Sequence, residues 1–129
     1  MEFLKNFKEE KFMTHKDLDL WKDSVKFVTH IYEVTSGFPV EEKYGLVSQI
    51  RRAAISIPSN IAEGAGRYYQ KELIQFLNIA SGSLAELDTQ LCIANELKFI
   101  SSEQLDSLNV KIIKIRSQLF GLIKSLKRK

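Results

Sequence analysis

The segment Arg51 to Arg67, RRAAISIPSNIAEGAGR, decides the fold because a helical apolar pattern runs through a proline. The apolar side chains around it recur at steps of three and four residues: Val47, Ile50, Ala54, Ile57 and Ile61. This spacing predicts a helix over residues 42–65. Pro58 has no N–H to donate to the carbonyl of Ala54, and its ring crowds that carbonyl, which costs about 3 kcal/mol in a straight helix. We therefore expect a continuous helix that is kinked at Pro58.

Small and polar residues mark the same helix and the one after it. Asn60 and Glu63 have the spacing of a capping box, so a helix that restarts after the proline is the alternative. A second small-residue cluster contains Gly82, which costs about 1 kcal/mol relative to alanine within a helix. We expect this cost to be offset by a close approach of the two helices at Gly82. Packing and recognition both remain open as roles for the motif residues, which are Pro58, Ser59, Asn60, Glu63, Gly64 and Gly82.

Three further segments repeat the helical spacing, and no segment has the pattern of a strand. The predicted helices cover residues 17–35, 42–65, 70–97 and a last segment that begins at a Ser101-Ser102 cap. Four long helices with short connections predict an all-α fold, an antiparallel up-down-up-down four-helix bundle. A solenoid of two helical hairpins is the alternative.

The first and last helices carry more apolar residues than one core needs. The predicted seam of the first helix is Leu18, Trp21, Val25, Val28, Tyr32 and Thr35. The surplus includes Phe27 and Ile31 on the first helix, and Ile113 and Phe120 on the last. Contiguous apolar surface on a bundle marks a subunit interface. We therefore expect a homo-oligomer with these four surplus residues at its interface.

Length and composition indicate one ordinary globular domain. The chain has 129 residues, of which 44% are hydrophobic and 27% charged. No apolar run approaches the ~18 to 20 residues that span a bilayer, and the N-terminus lacks the apolar core of a signal peptide, so we expect a cytoplasmic protein. We divide the chain into an N-terminal extension, 1–14, and a bundle domain, 15–129. The single cysteine, Cys92, is expected to be a buried thiol.

The net charge of +3 is unevenly distributed. After Asp106 the chain has seven basic residues and no acidic one, whereas residues 1–106 hold 12 basic and 16 acidic residues. This pattern fits a solvated helix face or a surface that contacts phosphates. The candidate phosphate contacts are Arg51, Arg52, Arg67, Lys111, Lys114, Arg116, Lys124, Lys127, Arg128 and Lys129.

Residue patterns typical of catalysis are not found. His15 and His30 have no partner at metal-ligand spacing. Gly64-Ala65-Gly66 ends a predicted helix instead of opening one after a strand, so it is neither a P-loop nor a dinucleotide fingerprint. Ser81-Gly82-Ser83 lacks the strand-turn-helix context of a nucleophile elbow. We expect no catalytic residue, no metal and no cofactor.

Three segments carry a family resemblance: DLDLWKDSVKFV (17–28), RRAAISIPSNIAEGAGR (51–67) and FLNIASGSLAELDTQL (76–91). They resemble the four-helix-bundle family known for members encoded within intervening sequences of bacterial 23S ribosomal RNA genes. The resemblance covers about residues 15–126. It leaves out residues 1–12, and Met13 is a candidate natural start.

The resemblance implies a left-handed four-helix bundle, assembly into a homopentameric ring and no known enzymatic activity. A related branch, the accessory variability proteins of diversity-generating retroelements, forms similar pentameric barrels that bind nucleic acid and a reverse transcriptase. By this analogy we expect an oligomeric scaffold that binds nucleic acid, with RNA preferred over DNA, and a reverse transcriptase or another protein as a further partner. The alternative is a protein-interaction scaffold whose basic tail only maintains solubility.

Overall fold

Four long helices make up most of the computed structural model, which describes residues 14–128. They are α1 (Asp19–Thr35), α2 (Leu46–Ala65), α3 (Gln70–Glu96) and α4 (Ser102–Lys127), with single 3-10 turns at His15–Asp17 and Val40–Glu42. Within residues 14–128 there is no strand, and none of the helices is both long and apolar enough to cross a membrane. The predicted all-α four-helix fold is confirmed. Most of the predicted extension, residues 1–13, lies outside the described residues.

Each helix packs against the next along the chain, and α1 also packs against α4. Helices α3 and α4 are antiparallel. Gln70 at the start of α3 donates to the carbonyl of Leu126 near the end of α4, whereas Asp88, later in α3, pairs with the earlier residue Arg116 of α4. These pairs support the up-down-up-down arrangement, which stays a prediction for the bundle as a whole.

The core seams of α2 and α3 are the predicted ones. Every residue of the α2 stripe, from Val47 to Ile61, is buried, and Leu77, Leu87 and Leu91 of α3 are fully buried. Packing apolar side chains at this spacing removes one continuous stripe of each helix from water, which is the main stabilising contribution to such a fold.

The predicted seam of α1 is confirmed at Leu18 and Thr35, which are buried, and is wrong at Val25 and Tyr32. The buried positions of α1 are Leu20, Ser24, Phe27, Ile31 and Thr35, whereas Val25 and Tyr32 are 36% and 39% exposed. Helix α1 carries two apolar stripes side by side, and periodicity alone does not say which of them faces the core. Phe27 and Ile31 therefore belong to the core, and their predicted place in a subunit interface is wrong.

The close approach of α2 and α3 is at Gly64, not at Gly82. A Cβ added to Gly64 would lie 2.9 Å from Cβ of Phe76 and 3.2 Å from the carbonyl oxygen of Leu73. Around Gly82 nothing lies within 4 Å of the corresponding position, so the predicted role of this glycine is wrong. Helix α3 presents Gly82 to solvent, and the small size of this residue serves no contact within the described part of the chain.

Helix α2 continues through Pro58, which is buried, and the kink there stays a prediction. The predicted capping box is wrong, because Asn60 Nδ2 donates backwards to the carbonyl oxygen of Ser56 at 2.7 Å and to its Oγ at 2.9 Å. The hydroxyl of Ser56 in turn shares a 2.8 Å hydrogen bond with the hydroxyl of Ser83 on α3. A polar chain of Asn60, Ser56 and Ser83 thus links the two helices beside their apolar contact.

The ends of the helices near the α3–α4 connection are closed by local hydrogen bonds. Helix α4 begins with the predicted cap, in which Ser101 and Gln104 form a reciprocal capping box. Helix α3 ends with Lys98 at φ 65°, and the N–H groups of Lys98 and Phe99 donate to the carbonyls of Asn95 and Ala94. This is the Schellman arrangement, with lysine in the left-handed position that glycine usually takes.

Cys92 is exposed, so the expectation of a buried thiol is wrong. It lies between Leu91, which is fully buried, and Ile93, which is 45% exposed. Apolar neighbours in the sequence suggested burial, but neighbouring residues on a helix point about 100° apart and need not share an environment.

Candidate nucleic-acid interface

Two of the predicted phosphate contacts, Lys111 and Lys114, lie on the side of α4 that packs against α1. Nζ of Lys111 lies 2.8 Å from Nδ1 of His30, and Nζ of Lys114 lies 3.3 Å from Oδ2 of Asp23. Together with Lys26 they line a shallow cleft of about 180 Å³ between the two helices. Three lysines around one carboxylate leave this cleft with an excess of positive charge.

The single carboxylate of the cleft is held in its ionised form. Burial acts to raise the pKa of Asp23, but hydrogen bonds from Gln118 and Lys114 and the charges of Lys114 and Lys26 outweigh it, so the pKa lies below its ordinary value. The amide of Gln118 donates to Oδ2 of Asp23 at 3.0 Å. Asp23 therefore offsets one of the lysine charges at neutral pH.

Arg116 lies on the opposite flank of α4 and pairs with Asp88 of α3 at 3.2 Å. Helix α4 has no acidic residue after Asp106, yet the fold supplies carboxylates to Lys114 and Arg116 from α1 and α3. Two of the seven cations after Asp106 therefore have an acidic partner that is far away in the sequence. Exposed ion pairs of this kind contribute about 0–1 kcal/mol, so both cations can exchange their carboxylate for a phosphate at small cost.

The last turns of α4 carry the exposed cations Lys124, Lys127 and Arg128, which make no ion pair within residues 14–128. A hydrogen bond of 2.6 Å from Nε2 of Gln70 to the carbonyl oxygen of Leu126 fixes these turns beside the start of α3. Lys129 lies outside the described residues. These turns therefore present three cations to solvent, on a helix end that is held in place.

The three predicted arginines occupy different environments. The guanidinium of Arg51 donates from Nε to Oγ1 of Thr35 at 2.9 Å and lies 4.3 Å from the ring centroid of Tyr32. Arg51 thereby ties α2 to α1, while Arg52 on the next position is exposed. Arg67 pairs with Glu63 at 3.1 Å and lies over the ring of Phe76. Arg51 and Arg52 thus lie away from the last turns of α4, whereas Arg67 lies near the start of α3, which Gln70 ties to those turns.

The two ends of the bundle differ in charge. In the predicted up-down-up-down arrangement α1 and α3 begin at the end where α2 and α4 terminate, and there residues 14–22, 63–72 and 124–128 hold seven basic and four acidic side chains. We call this the basic end. At the opposite end, residues 33–46 and 94–106 hold two basic and six acidic side chains. A polyanion is attracted to the basic end and repelled from the other, which concentrates the favourable potential on one part of the surface.

The predicted interface residues on α4 are exposed, in contrast to those on α1. Ile113 is 57% and Phe120 58% exposed, and Val110, one turn before Ile113, is 69% exposed. Their spacing of three and seven residues places them on the outward face of α4. We call Val110, Ile113 and Phe120 the α4 stripe, which remains available for contact with another chain.

Comparison with known proteins places this fold in a family. The family model described as 23S rRNA-intervening sequence protein matches residues 16–121. The chain belongs to this family. It is also similar to a crystal structure from Bacteroides thetaiotaomicron, of a protein with unknown function from the S23 ribosomal protein family. The two share 27% identity with a TM-score of 0.76, over 81% of this chain and 95% of that chain. No curated protein matches the chain.

Within the 23S rRNA-intervening sequence family fold, the motif residues of this chain separate into two groups. Pro58 and Gly64 are buried, and Asn60 is hydrogen-bonded between turns of α2, so these residues shape the α2–α3 contact. Ser59 and Gly82 are exposed, and Glu63 is occupied by its pair with Arg67. The structure therefore assigns packing to the first group, while only the second lies where an external partner can reach it.

Sequence reasoning about this family member missed four residues near the cations. Lys26 completes the cleft between α1 and α4. Tyr68 and Tyr69, 87% and 63% exposed, form the connection between α2 and α3, and Lys71 follows in the first turn of α3. The signal was present as two consecutive tyrosines in a predicted loop with a cation on either side, a composition that suits nucleic acid better than a turn.

Each of the two histidines contacts another side chain: His15 contacts Trp21, and His30 contacts Lys111. The ring of His15 meets that of Trp21 edge-on, with 5.1 Å between the ring centroids. In residues 14–128 no group of three or more His, Cys, Asp or Glu side chains is placed to hold a metal ion. Partial burial and then the charge of Lys111 lower the pKa of His30 below its ordinary value of 6.5.

We expect acid to destabilise this protein partly through His30. Below about pH 6.5, His30 of the unfolded chain takes up a proton, whereas His30 of the folded chain stays neutral because its pKa is lower. The free energy of unfolding therefore decreases as the pH is lowered from about 6.5 to the pKa of the folded state. His30→Gln keeps an acceptor for Lys111 but does not titrate. Denaturant unfolding between about pH 7 and pH 5 should show a smaller loss of stability for the variant than for the parent chain. Parallel curves would show that His30 does not contribute.

Proposed function

We propose that this protein is a non-enzymatic, oligomeric helical scaffold that binds nucleic acid through its basic end. The observation that carries the proposal is the set of exposed cations there with no ion pair among residues 14–128: Lys16, Lys22, Lys71, Lys124, Lys127 and Arg128. Such cations can bind a phosphate, and release its counterion, without first breaking an ion pair within the protein. Their binding to a polyanion therefore carries no free-energy cost from a lost ion pair.

The fold supports binding at more than one point. Beyond the basic end, Arg116 on the α3 side of α4 and the lysine cleft on its α1 side supply further cations, one group on each side of the α4 stripe. Contacts of this type are to phosphates, which position a nucleic acid but do not read its bases. We therefore propose affinity that is nearly independent of sequence, with RNA preferred over DNA because of the family's association with ribosomal RNA genes.

Self-association is proposed to occur through the α4 stripe. Val110, Ile113 and Phe120 expose apolar surface of the kind that is covered in oligomers, and a homopentameric ring is the assembly that the family resemblance suggests. Repetition of the basic end on one particle would raise avidity for a long polyanion without any new contact. We place the protein in the bacterial cytoplasm, where ribosomal RNA is made.

The test is a salt titration of binding to RNA and DNA oligonucleotides of unrelated sequence. If about four phosphate contacts form per chain, affinity should fall about 100-fold between about 50 and 200 mM salt. The double variant Lys124→Gln/Lys127→Gln should bind more weakly and lower the slope of log affinity against log salt by about two. Its matched control is Lys43→Gln/Lys98→Gln, which removes two exposed lysines from the opposite end of the bundle, where acidic residues outnumber basic ones.

Equal losses in the two double variants would mean that net charge and not the basic end determines affinity. The absence of binding at about 50 mM salt would favour the alternative, a protein-interaction scaffold in which the α4 stripe binds another protein, with a reverse transcriptase as the partner suggested by the related branch.

A further inference from the structure

The connection between α2 and α3 places an aromatic pair at the basic end. Tyr68 and Tyr69 are 87% and 63% exposed, and their rings meet edge-on, with centroids 5.0 Å apart and an interplanar angle of 83°. Neither ring fills a gap in the core, because the α2–α3 contact beside them is closed by Gly64, Leu73 and Phe76. Two large aromatic side chains are thus exposed to solvent without a packing role among residues 14–128.

Cations lie on both sides of this aromatic pair. Lys71 is exposed two residues after Tyr69. The hydrogen bond from Gln70 to the carbonyl of Leu126 brings the residue next to Tyr69 against the residue next to Lys127. The tyrosines and the last turn of α4 are therefore parts of one surface, although 58 residues separate Tyr69 from Lys127 in the sequence.

Resting on the proposed function, we infer that this surface selects single-stranded nucleic acid, with bases stacked on Tyr68 and Tyr69 and phosphates held by Lys71, Lys127 and Arg128. Bases are available for stacking on a side chain only when they are not paired and stacked inside a duplex. A groove or patch that combines cations with exposed aromatic rings is the usual solution for binding single strands without sequence preference, because every base has a flat face. Cations alone, as on the flank of α4, do not distinguish a single strand from a duplex.

The edge-on arrangement suits two successive bases better than one base between two rings. Rings at 83° cannot both lie parallel to the same base, so each tyrosine offers its face to a different base. A flexible single strand can splay neighbouring bases in this way, whereas a duplex cannot.

The experiment compares four ligands of equal length: single-stranded RNA, single-stranded DNA, duplex DNA, and a DNA strand in which abasic sites replace the bases at unchanged phosphate charge. We expect the parent chain to bind either single strand about tenfold or more tightly than the abasic strand. Tyr68→Leu/Tyr69→Leu should reduce single-strand affinity to about that of the abasic strand and leave duplex affinity unchanged. Tyr68→Phe/Tyr69→Phe keeps both ring faces and should retain the affinity of the parent chain.

The matched control is Tyr44→Leu, which removes an 88% exposed tyrosine from the opposite end of the bundle and should change nothing. Light scattering on each variant separates stacking from assembly, and a change of oligomeric state in the leucine variant would overturn the inference in favour of a contact between copies. Equal affinity for the normal and abasic strands, with a preserved salt dependence, would also overturn it while leaving the proposed function intact. Failure of all four ligands to bind would overturn both.

Discussion

We expect Phe27→Ala to lower the free energy of unfolding by about 3–5 kcal/mol, the largest effect of a single substitution considered for this chain. The side chain of Phe27 is 2% exposed and lies in the stripe of α1 that faces the core. Its removal loses the transfer free energy of the ring and leaves a cavity that rigid neighbours fill only in part. Denaturant unfolding followed by circular dichroism at a fixed protein concentration measures the change.

Phe120→Ala is the matched control, because it removes the same side chain from a position that is 58% exposed. We expect it to leave the unfolding of the single chain nearly unchanged and to weaken self-association, which sedimentation or light scattering detects. If Phe120→Ala proved the more destabilising of the two in dilute monomeric protein, the placement of the α1 stripes would be wrong.

The second large effect is expected for Gly64→Ala. The new methyl carbon would lie 2.9 Å from Cβ of Phe76 and 3.2 Å from the backbone oxygen of Leu73, so α2 and α3 must move apart to admit it. Overpacking of this kind costs about 1–3 kcal/mol, more when backbone atoms are the obstacle. Thermal unfolding should show a clear fall in Tm.

Gly82→Ala tests the same substitution on the next helix, where nothing lies within 4 Å of the added carbon. Alanine in an exposed helical position is more stable than glycine by about 1 kcal/mol, so this variant should have a higher Tm than the parent chain. A fall in Tm with Gly82→Ala would mean that this glycine meets a surface that the single chain does not contain.

Helices α2 and α3 could be predicted closely because each has one apolar stripe. For α2 the alternation of three and four residues from Val47 to Ile61 leaves a single choice of buried face. For α1, Tyr32 and Ile31 are neighbours of similar apolar character on two adjacent stripes, and only the packing partners decide between them. In the fold, Arg51 of α2 lies over the exposed ring of Tyr32, while Ile31 is fully buried.

Glycine positions were harder to interpret than apolar spacing. Gly82 lies in the middle of a helix at an evident cost, which suggested a contact, but the contact is made by Gly64 near the end of α2. Lys98 takes a left-handed conformation without being glycine, so no residue type marked the end of α3. Which glycine lies at a helix–helix contact depends on the distance to atoms of another helix, and a single sequence does not contain these distances.

The candidate interface could be predicted as a set of cations but not as a surface. The charge pattern alone identified Lys124, Lys127 and Arg128. The partners of Lys114 and Arg116 could not be foreseen, because Asp23 and Asp88 lie on other helices and far away in the sequence. The tyrosines between α2 and α3 could not be assigned to this surface either, because only the fold brings their short loop beside the end of α4.

The hydrogen-bonded chain of Asn60, Ser56 and Ser83 determines the axial register of α2 and α3. Because their apolar residues repeat at heptad-like spacing, sliding one helix by seven residues, about 10 Å, would again bring apolar side chains together. That slide would place Phe76 or Gln90 in the position of Ser83 and leave the hydroxyl of Ser56 without its partner. Ser56 and Ser83 are half-buried, so the loss of this hydrogen bond costs about 0.5–1.5 kcal/mol, a penalty that the apolar seam alone does not impose. The polar residues beside Pro58 thus disfavour slipped alignments that a purely apolar seam would tolerate.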